Sequence, residues 1–185
     1  MPDKIADFLF ECAALKRVPR SGWDVIAARR ETVAEHSWGT AVFALLLARE
    51  EGLGEHEAHL AVIGALFHDL HEARTSDLNM LNKGYAKADA KKAMRHQFAK
   101  IDATIAKEAG EAFANRKVAA IIEDADKLEL IVSAKERLDE GNKYAKSFMD
   151  NWLPRLKTKS ARRIAREVQK TDSRKWMFDA IFGKG

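Results

Sequence analysis

The distribution of proline constrains the fold of this chain more than any other sequence feature. Only Pro2, Pro19 and Pro154 occur, so the stretch from Arg20 to Leu153 contains no proline. Because proline disrupts helix interiors, such a stretch is compatible with long helices. Apolar residues recur in it at helical spacing, and no run of alternating β-branched residues appears. The sequence therefore predicts an all-α protein, with helices near residues 2–16, 33–51, 55–74, 87–109, 115–140, 144–157, 159–170 and 172–182.

The length and composition are those of an ordinary globular domain. The chain has 185 residues, of which 46% are hydrophobic and 32% charged, so it can bury a substantial core. We expect a single domain over residues 1–185, with a basic helical extension from about residue 144. Cys12 is the only cysteine, which excludes an intrachain disulfide. No apolar run reaches membrane-spanning length and no signal-peptide plan is visible, so we expect a cytoplasmic protein.

Positive charge is concentrated towards the end of the chain. Between residues 155 and 175, nine Lys and Arg residues accompany two acidic ones, a local net charge of +7, whereas the whole chain carries +4. Charge runs at helical positions usually form a solvated helix face. We favour that interpretation over a nucleic-acid surface.

A histidine lies on an apolar helix face early in the chain. Thr32 and Glu35 fit a capping box, which predicts a helix start at Val33 and gives Glu35 a structural role. His36 falls on the same helical stripe as Val33 and Leu47, so its imidazole is predicted to point inward. A buried imidazole requires a polar partner or a metal ion.

A second group of polar residues follows a largely apolar segment. His68 and Asp69 are adjacent, and Glu72 lies one helical turn further on the same face. The apolar residues before His68 predict that it lies in a core helix. A carboxylate that stands beside a metal without binding it is the arrangement of a general base. The His-Glu-x-x-His pattern of zincin proteases is absent.

A further carboxylate comes from a later helix, and helical spacing leaves two candidates. Asp124 and Asp126 each have apolar neighbours at helical intervals, so either side chain could point inward. Together with His36, His68 and Asp69, one of them would complete a mixed nitrogen and oxygen site for a catalytic transition metal.

The ordered set His36, His68-Asp69 and Asp126 resembles the H…HD…D signature of the HD-domain phosphohydrolase superfamily. More narrowly, the sequence around residues 15–23 and 31–37 resembles the 5′-deoxynucleotidase-like branch, and residues 68–78 continue the match. The resemblance covers roughly residues 10 to 140, and its motifs are specific in combination.

This resemblance implies a fold, a cofactor and an activity. It implies a compact α-helical HD bundle, usually a homodimer, that holds one divalent transition metal (Mn, Co, Zn, Fe or Ni). The implied activity is hydrolysis of nucleoside 5′-monophosphates, with deoxyribonucleotides preferred. The implied metal ligands are His36, His68, Asp69 and Asp126.

The resemblance also assigns roles around the metal. Glu72 matches the carboxylate that activates or orients the attacking water, and Asp77 matches the acidic residue that assists the leaving 5′-oxygen. Arg20 and Trp23 fall in the segment that borders the nucleotide. A second metal is not expected, because the two extra histidines of binuclear relatives lack a matching pair here.

The chain departs from the branch at several positions. Relatives usually carry an arginine where this chain has Ile26, and Arg29 or Arg30 could supply that charge from a shifted register. Ser76 replaces a common glycine, which leaves open that Asp77 merely caps a short helix.

Two other functions fit the same residues. The chain could be an HD phosphohydrolase that acts on a nucleoside di- or triphosphate or on a guanosine alarmone. It could also be a non-catalytic basic binding module with a structural metal. Glu72 argues against this, because a structural site does not need a carboxylate that stands beside the metal without binding it.

Overall fold

The computed structural model describes residues 4–183, and helices joined by turns and loops make up most of them. No strand occurs among them, and the β-type pairing is an isolated bridge between Pro19 and Thr32. The all-α prediction is therefore confirmed. The helices are α1 (Ile5–Ala14), α2 (Val33–Glu50), α3 (Glu55–Phe67), α4 (Glu72–Thr75), α5 (Ala90–Phe98), α6 (Ala103–Ala114), α7 (Arg116–Asp139), α8 (Ala145–Trp152), α9 (Lys159–Lys170) and α10 (Lys175–Phe182), with 3-10 helices at Leu15–Arg17, Ser21–Ile26, Asn82–Gly84 and Leu153–Arg155.

Helices α2, α3 and α7 form the centre of the bundle, and each packs against the other two. Small residues let these helices approach closely. A Cβ atom added at Gly64 would lie only 2.3 Å from Cδ1 of Ile122 and 2.9 Å from Cβ of Ala112, so a larger residue where α3 crosses α7 would force these side chains to shift. Helix α6 covers α3, and α8 and α9 pack on α7.

The predicted capping box at the start of α2 is present. The Thr32 hydroxyl accepts a hydrogen bond from the Glu35 amide at 3.2 Å, and the Glu35 carboxylate accepts one from the Thr32 amide at 2.6 Å. These bonds satisfy two helix-start donors. They fix the point from which His36 projects.

The helix predicted over residues 55–74 is interrupted. Helix α3 ends at Phe67, residues 68–71 form a turn, and α4 begins at Glu72. The interpretation that His68 lies within a core helix was therefore wrong. Tertiary contacts explain the break, because buried Leu70 anchors the turn and the Gln97 side chain donates to the Leu70 carbonyl at 3.0 Å. The helical spacing of apolar residues in the sequence cannot predict a contact between residues so far apart in the chain.

Other helix ends also differ from the prediction. The region 87–109 contains two helices, because the Asp102 carboxylate caps a new helix by accepting from the Thr104 amide at 2.7 Å. The first helix begins at Ile5, and residues 2 and 3 of its predicted range lie outside the described part of the chain.

The basic C-terminal region is packed on one side and solvated on the other. Helix α9 buries Ala161 and Ala165 in the main core, whereas Arg162, Arg166 and Lys170 are exposed. Within residues 4–183, no helix has both the length and the apolar character needed to cross a membrane.

Candidate metal centre and active site

Four side chains from three parts of the bundle meet around Nε2 of His36. Nε2 of His36, from α2, lies 3.3 Å from Nε2 of His68 and 3.6 Å from Oδ2 of Asp69, both from the turn after α3. Asp126, from α7, places Oδ1 at 3.1 Å from the same His36 nitrogen. The structure thus brings together the four residues that the family resemblance implies as metal ligands.

The two imidazoles are held with their free nitrogens facing this group of side chains. Nδ1 of His36 contacts the Glu129 carboxylate at 2.5 Å, and Nδ1 of His68 contacts the Ala65 carbonyl at 2.7 Å. Because carboxylates and carbonyls can only accept hydrogen bonds, Nδ1 of each histidine must be the donor and carry a hydrogen. In the neutral rings, both Nε2 atoms therefore present lone pairs to the centre.

The donor set fits a divalent transition metal. Two ligand atoms that each lie about 2.0–2.2 Å from one ion are separated by about 3.0–3.6 Å. The distances from Nε2 of His36 to His68, Asp69 and Asp126 fall in that range. Two imidazole nitrogens and two carboxylate oxygens form the mixed set that suits Zn, Mn, Fe, Co or Ni.

The electrostatics of the cluster show strong mutual stabilisation of opposite charges. Burial and the charge of Arg20 oppose protonation of His36, but hydrogen bonds to Asp126 and Glu129 outweigh them and raise its pKa to about 9. Burial opposes ionisation of Asp69 and Asp126, yet the neighbouring histidines and Arg20 lower the pKa of both carboxyls. The cluster therefore attracts positive charge, which protons or a metal can supply.

Asp124, the alternative carboxylate on α7, points in another direction. It is fully buried, and its carboxylate accepts from the backbone amides of Lys157 and Thr158 and from the Thr158 hydroxyl, at 2.7–3.0 Å. Asp124 therefore anchors the start of α9.

Glu72 stands beside the cluster without a partner for one of its oxygens. It is 95% buried, and Oε2 has no hydrogen-bond partner among the described residues. Burial, reinforced by the charges of Asp69 and Asp77, raises the pKa of its carboxyl well above the usual range. Most buried polar atoms in proteins have a hydrogen-bond partner, so an unpaired carboxylate oxygen suits a group that binds a ligand or a water molecule.

A cavity of about 460 Å³ opens directly onto the cluster. Its size is typical of small-molecule sites. The floor carries Asp69, Glu72 and Asp126, and Lys83 and Lys127 add positive charge. The rest of the wall is mostly apolar and is formed by Val25, residues 78–81, Leu130, Phe148 and Trp152.

Arg20 and Trp23 both line this cavity. Nη1 of Arg20 lies 3.2 Å from Oδ2 of Asp69, so the guanidinium joins the cluster to the cavity. Trp23 is only 3% exposed and stacks on Phe148, with ring centroids 5.5 Å apart. The indole therefore forms a firmly packed part of the wall.

Asp77 is held by the chain segment that carries Arg20 and Trp23. The Asp77 carboxylate accepts a hydrogen bond from the backbone amide of Ser21 at 2.6 Å. The backbone carbonyl of Asp77 accepts a second one from the Ser21 hydroxyl at 2.9 Å. No helix begins immediately after Asp77 in the described chain. The residue before it, Ser76, has φ 60° and ψ 162°, a conformation found almost only for glycine.

Neither arginine considered as a replacement at Ile26 lines the cavity. Arg30 is exposed and forms a two-point ion pair with Asp24, with Nε and Oδ1 2.6 Å apart. Arg29 is exposed, and Ile26 lies in the core. The cationic side chains that line the cavity are Arg20, Lys83 and Lys127.

Sequence reasoning missed three residues that shape the site. Phe148 and Trp152 come from α8, and no local pattern marks them as cavity residues. Glu129, behind His36, had a weak signal, since it is a charged residue three positions after Asp126 in an apolar helix segment.

Comparisons with known proteins agree with this architecture. Residues 12–171 match the family described as HD domain. A structural-genomics protein, APC5600, is 35% identical, with 91% of this chain and 95% of the other covered and a TM-score of 0.77. No curated protein sequence matches the chain.

Two further solved structures carry functional names. One, from Magnetospirillum magnetotacticum, is named "Predicted metal-dependent phosphohydrolase"; it is 24% identical, with 94% and 93% of the two chains covered and a TM-score of 0.65. The other is the HD phosphohydrolase of cyanophage S-2L, bound to dA and one catalytic Zn²⁺ ion; it is 19% identical, with 88% and 96% covered and a TM-score of 0.58.

Proposed function

This chain belongs to the HD domain family, and from that premise we propose that it is a metal-dependent phosphohydrolase acting on nucleoside 5′-monophosphates, with deoxyribonucleotides preferred. The observation that carries the proposal is Glu72, a buried carboxylate that lines the cavity together with Asp69 and Asp126 and has one oxygen without a hydrogen-bond partner among the described residues. A purely structural metal site would have no need of such a group.

The proposed metal ligands are His36, His68, Asp69 and Asp126. When bound, a divalent transition metal supplies Lewis acidity towards a phosphoryl oxygen and lowers the pKa of water. The names of the two functionally named relatives support a metal-dependent phosphohydrolase, and the Zn²⁺ of the cyanophage protein supports a single metal.

The remaining residues provide binding and proton transfer. We assign Glu72 as the general base. Its ionised form, which a divalent cation at the neighbouring cluster would favour, accepts a proton from water as the water oxygen bonds to phosphorus. The bond from phosphorus to the 5′-oxygen breaks, and the leaving oxygen takes up a proton from solvent with the assistance of Asp77. Glu72 then returns its proton to solvent, which balances the reaction. Arg20, which already pairs with Asp69, adds positive charge for the phosphate, and Trp23 borders the nucleoside.

The cavity is consistent with a nucleotide in which the phosphate and the base have different environments. Arg20, Lys83 and Lys127 line the cavity and suit a phosphate, and the apolar walls suit a nucleobase. Sequence resemblance to the 5′-deoxynucleotidase-like branch supports the monophosphate and the preference for deoxyribonucleotides.

A phosphate-release assay tests the substrate class. We expect release from dAMP, weaker release from AMP, and little from dATP or ppGpp, in metal-depleted enzyme reconstituted separately with Mn, Co, Zn, Fe, Ni or Mg. Activity confined to dATP or ppGpp would assign the protein to the other phosphohydrolase class. Metal binding without activity on any substrate would contradict the enzymatic proposal.

We further propose that the protein is a homodimer, as its resemblance implies. Helix α2 exposes four large apolar side chains at helical spacing: Trp38, Val42, Leu45 and Leu46, which are 38–70% exposed. Such a stripe is typical of an interface. Sedimentation velocity should show a dimer that dissociates in Trp38→Glu but not in the control Tyr85→Glu; a wild-type monomer would contradict the proposal.

A further inference from the structure

A single side of α7 supports both the metal cluster and the wall of the cavity. Asp126, Glu129, Ser133 and Arg137 follow one another at intervals of three or four residues, so they lie along one helix face. Asp126 faces the cluster, and the other three are at least 92% buried behind it. Buried charged groups in such a row require specific partners.

Glu129 has partners on both oxygens. Oε2 accepts from Nδ1 of His36 at 2.5 Å, and Oε1 accepts from the Ser133 hydroxyl at 3.0 Å. The two bonds fix the plane of the carboxylate, and the carboxylate fixes both the ring orientation and the protonated nitrogen of His36.

Helices α2 and α7 pack closely around the Glu129 side chain. A Cβ atom added at Gly39, one turn after His36 on α2, would lie 3.0 Å from Cγ of Glu129. Glycine at this position therefore lets α2 and α7 approach closely enough for the bond to His36.

The same network continues to the cavity wall. Oγ of Ser133 also lies 3.2 Å from Oε2 of Glu31. Nη2 of Arg137 donates a hydrogen bond to that same Glu31 oxygen at 3.2 Å. The guanidinium carbon of Arg137 lies 3.7 Å from the centroid of the Trp23 ring. A chain of contacts therefore connects His36 to the tryptophan that lines the cavity.

We infer that Glu129 is a positioning residue for the metal: it acts through His36, and Ser133 holds it in place. This inference rests on the metal site of the proposed function. Hydrogen-bonded carboxylates behind metal-binding histidines orient the ring and increase its basicity, and their loss commonly weakens metal binding by about 10- to 100-fold. Glu129 meets the geometric requirement for that role.

The test compares Glu129→Gln with Glu136→Gln, which makes the same change at an exposed position on the same helix. Metal dissociation constants are measured by competition with a chromophoric chelator, and the visible absorption spectrum of the Co²⁺ form reports the ligand geometry. We expect Glu129→Gln to bind metal about 10- to 100-fold more weakly with an altered spectrum, and Glu136→Gln to match the wild type.

Ser133→Ala provides a second variant if Glu129→Gln does not fold. It removes only the hydroxyl that holds Oε1, and we expect a smaller but measurable weakening of metal binding. Wild-type affinity and spectrum in both folded variants would overturn the inference while leaving the proposed function intact. Failure of the wild-type protein to bind metal would overturn both.

Discussion

Asp124 and Asp126 are separated by one residue on α7, and the structure predicts opposite consequences when each is changed to asparagine. Asp124 is fully buried and accepts hydrogen bonds from Lys157 and Thr158 at the start of α9. Asp126 faces the metal cluster and the cavity, with its side chain 41% exposed. Asp124→Asn should therefore reduce stability, whereas Asp126→Asn should reduce metal binding.

The magnitude for Asp124 follows from its hydrogen bonds. Asparagine keeps one carbonyl oxygen but replaces the other acceptor with an amide group that faces amide and hydroxyl donors. At least one bond to a charged acceptor is lost, at about 1.5–3 kcal/mol, and a buried donor loses its partner, at about 1–3 kcal/mol. Because these costs overlap, we expect Asp124→Asn to lower the free energy of unfolding by about 3 kcal/mol.

Urea unfolding in the presence of EDTA measures this difference without a contribution from bound metal. We expect Asp126→Asn to lower the metal-free stability less than Asp124→Asn does, since the Asp126 side chain is partly solvated and His36 keeps its contact with Glu129. Metal content after dialysis, measured by mass spectrometry, should be normal in Asp124→Asn and strongly reduced in Asp126→Asn. The reverse pattern of metal content would refute the ligand assignment.

Three further predictions concern the surroundings of the site. Glu72→Gln should retain metal but lose about 10²- to 10⁴-fold in kcat, and unchanged turnover would exclude Glu72 as the base. Ser76→Gly should raise the free energy of unfolding by about 1 kcal/mol, because it relieves the φ of 60°; a loss of stability in urea unfolding would contradict this. Glu11 pairs with Arg74 and Lys100, and the Arg74 hydrogen bond outweighs burial to lower its pKa from 4.5 to about 2. This pairing stabilises the fold above about pH 4.5, and its contribution is lost as the pH falls towards 2. Urea unfolding between about pH 7 and pH 2 should therefore show a smaller loss of stability in Glu11→Gln than in the wild type, and an equal loss in both would contradict this.

Local features of the sequence were sufficient for the helical fold and for part of the site. The proline-free stretch and the helical spacing of apolar residues predicted α2, α7 and α9, and the capping box at Thr32 predicted where α2 begins. These features depend on backbone geometry and on neighbours within one or two turns, so the sequence alone contains the information.

The candidate ligands depended on more than local pattern. Helical periodicity placed His36 on an inward face, but it could not distinguish Asp124 from Asp126, because both have apolar neighbours on α7. Resemblance to a family favoured Asp126. The structure shows the physical difference between them, since Asp124 meets the backbone of α9 and Asp126 meets His36.

Only the tertiary structure decided the features that depend on contacts distant in sequence. The turn at residues 68–71 forms because Gln97 and the buried Leu70 side chain hold it, although the local sequence favours a continued helix. Likewise, Glu129 lies against a histidine 93 positions earlier, and Phe148 reaches a cavity whose other walls come from distant segments. Sequence periodicity determined which faces are apolar, and the packing of those faces determined which polar groups meet.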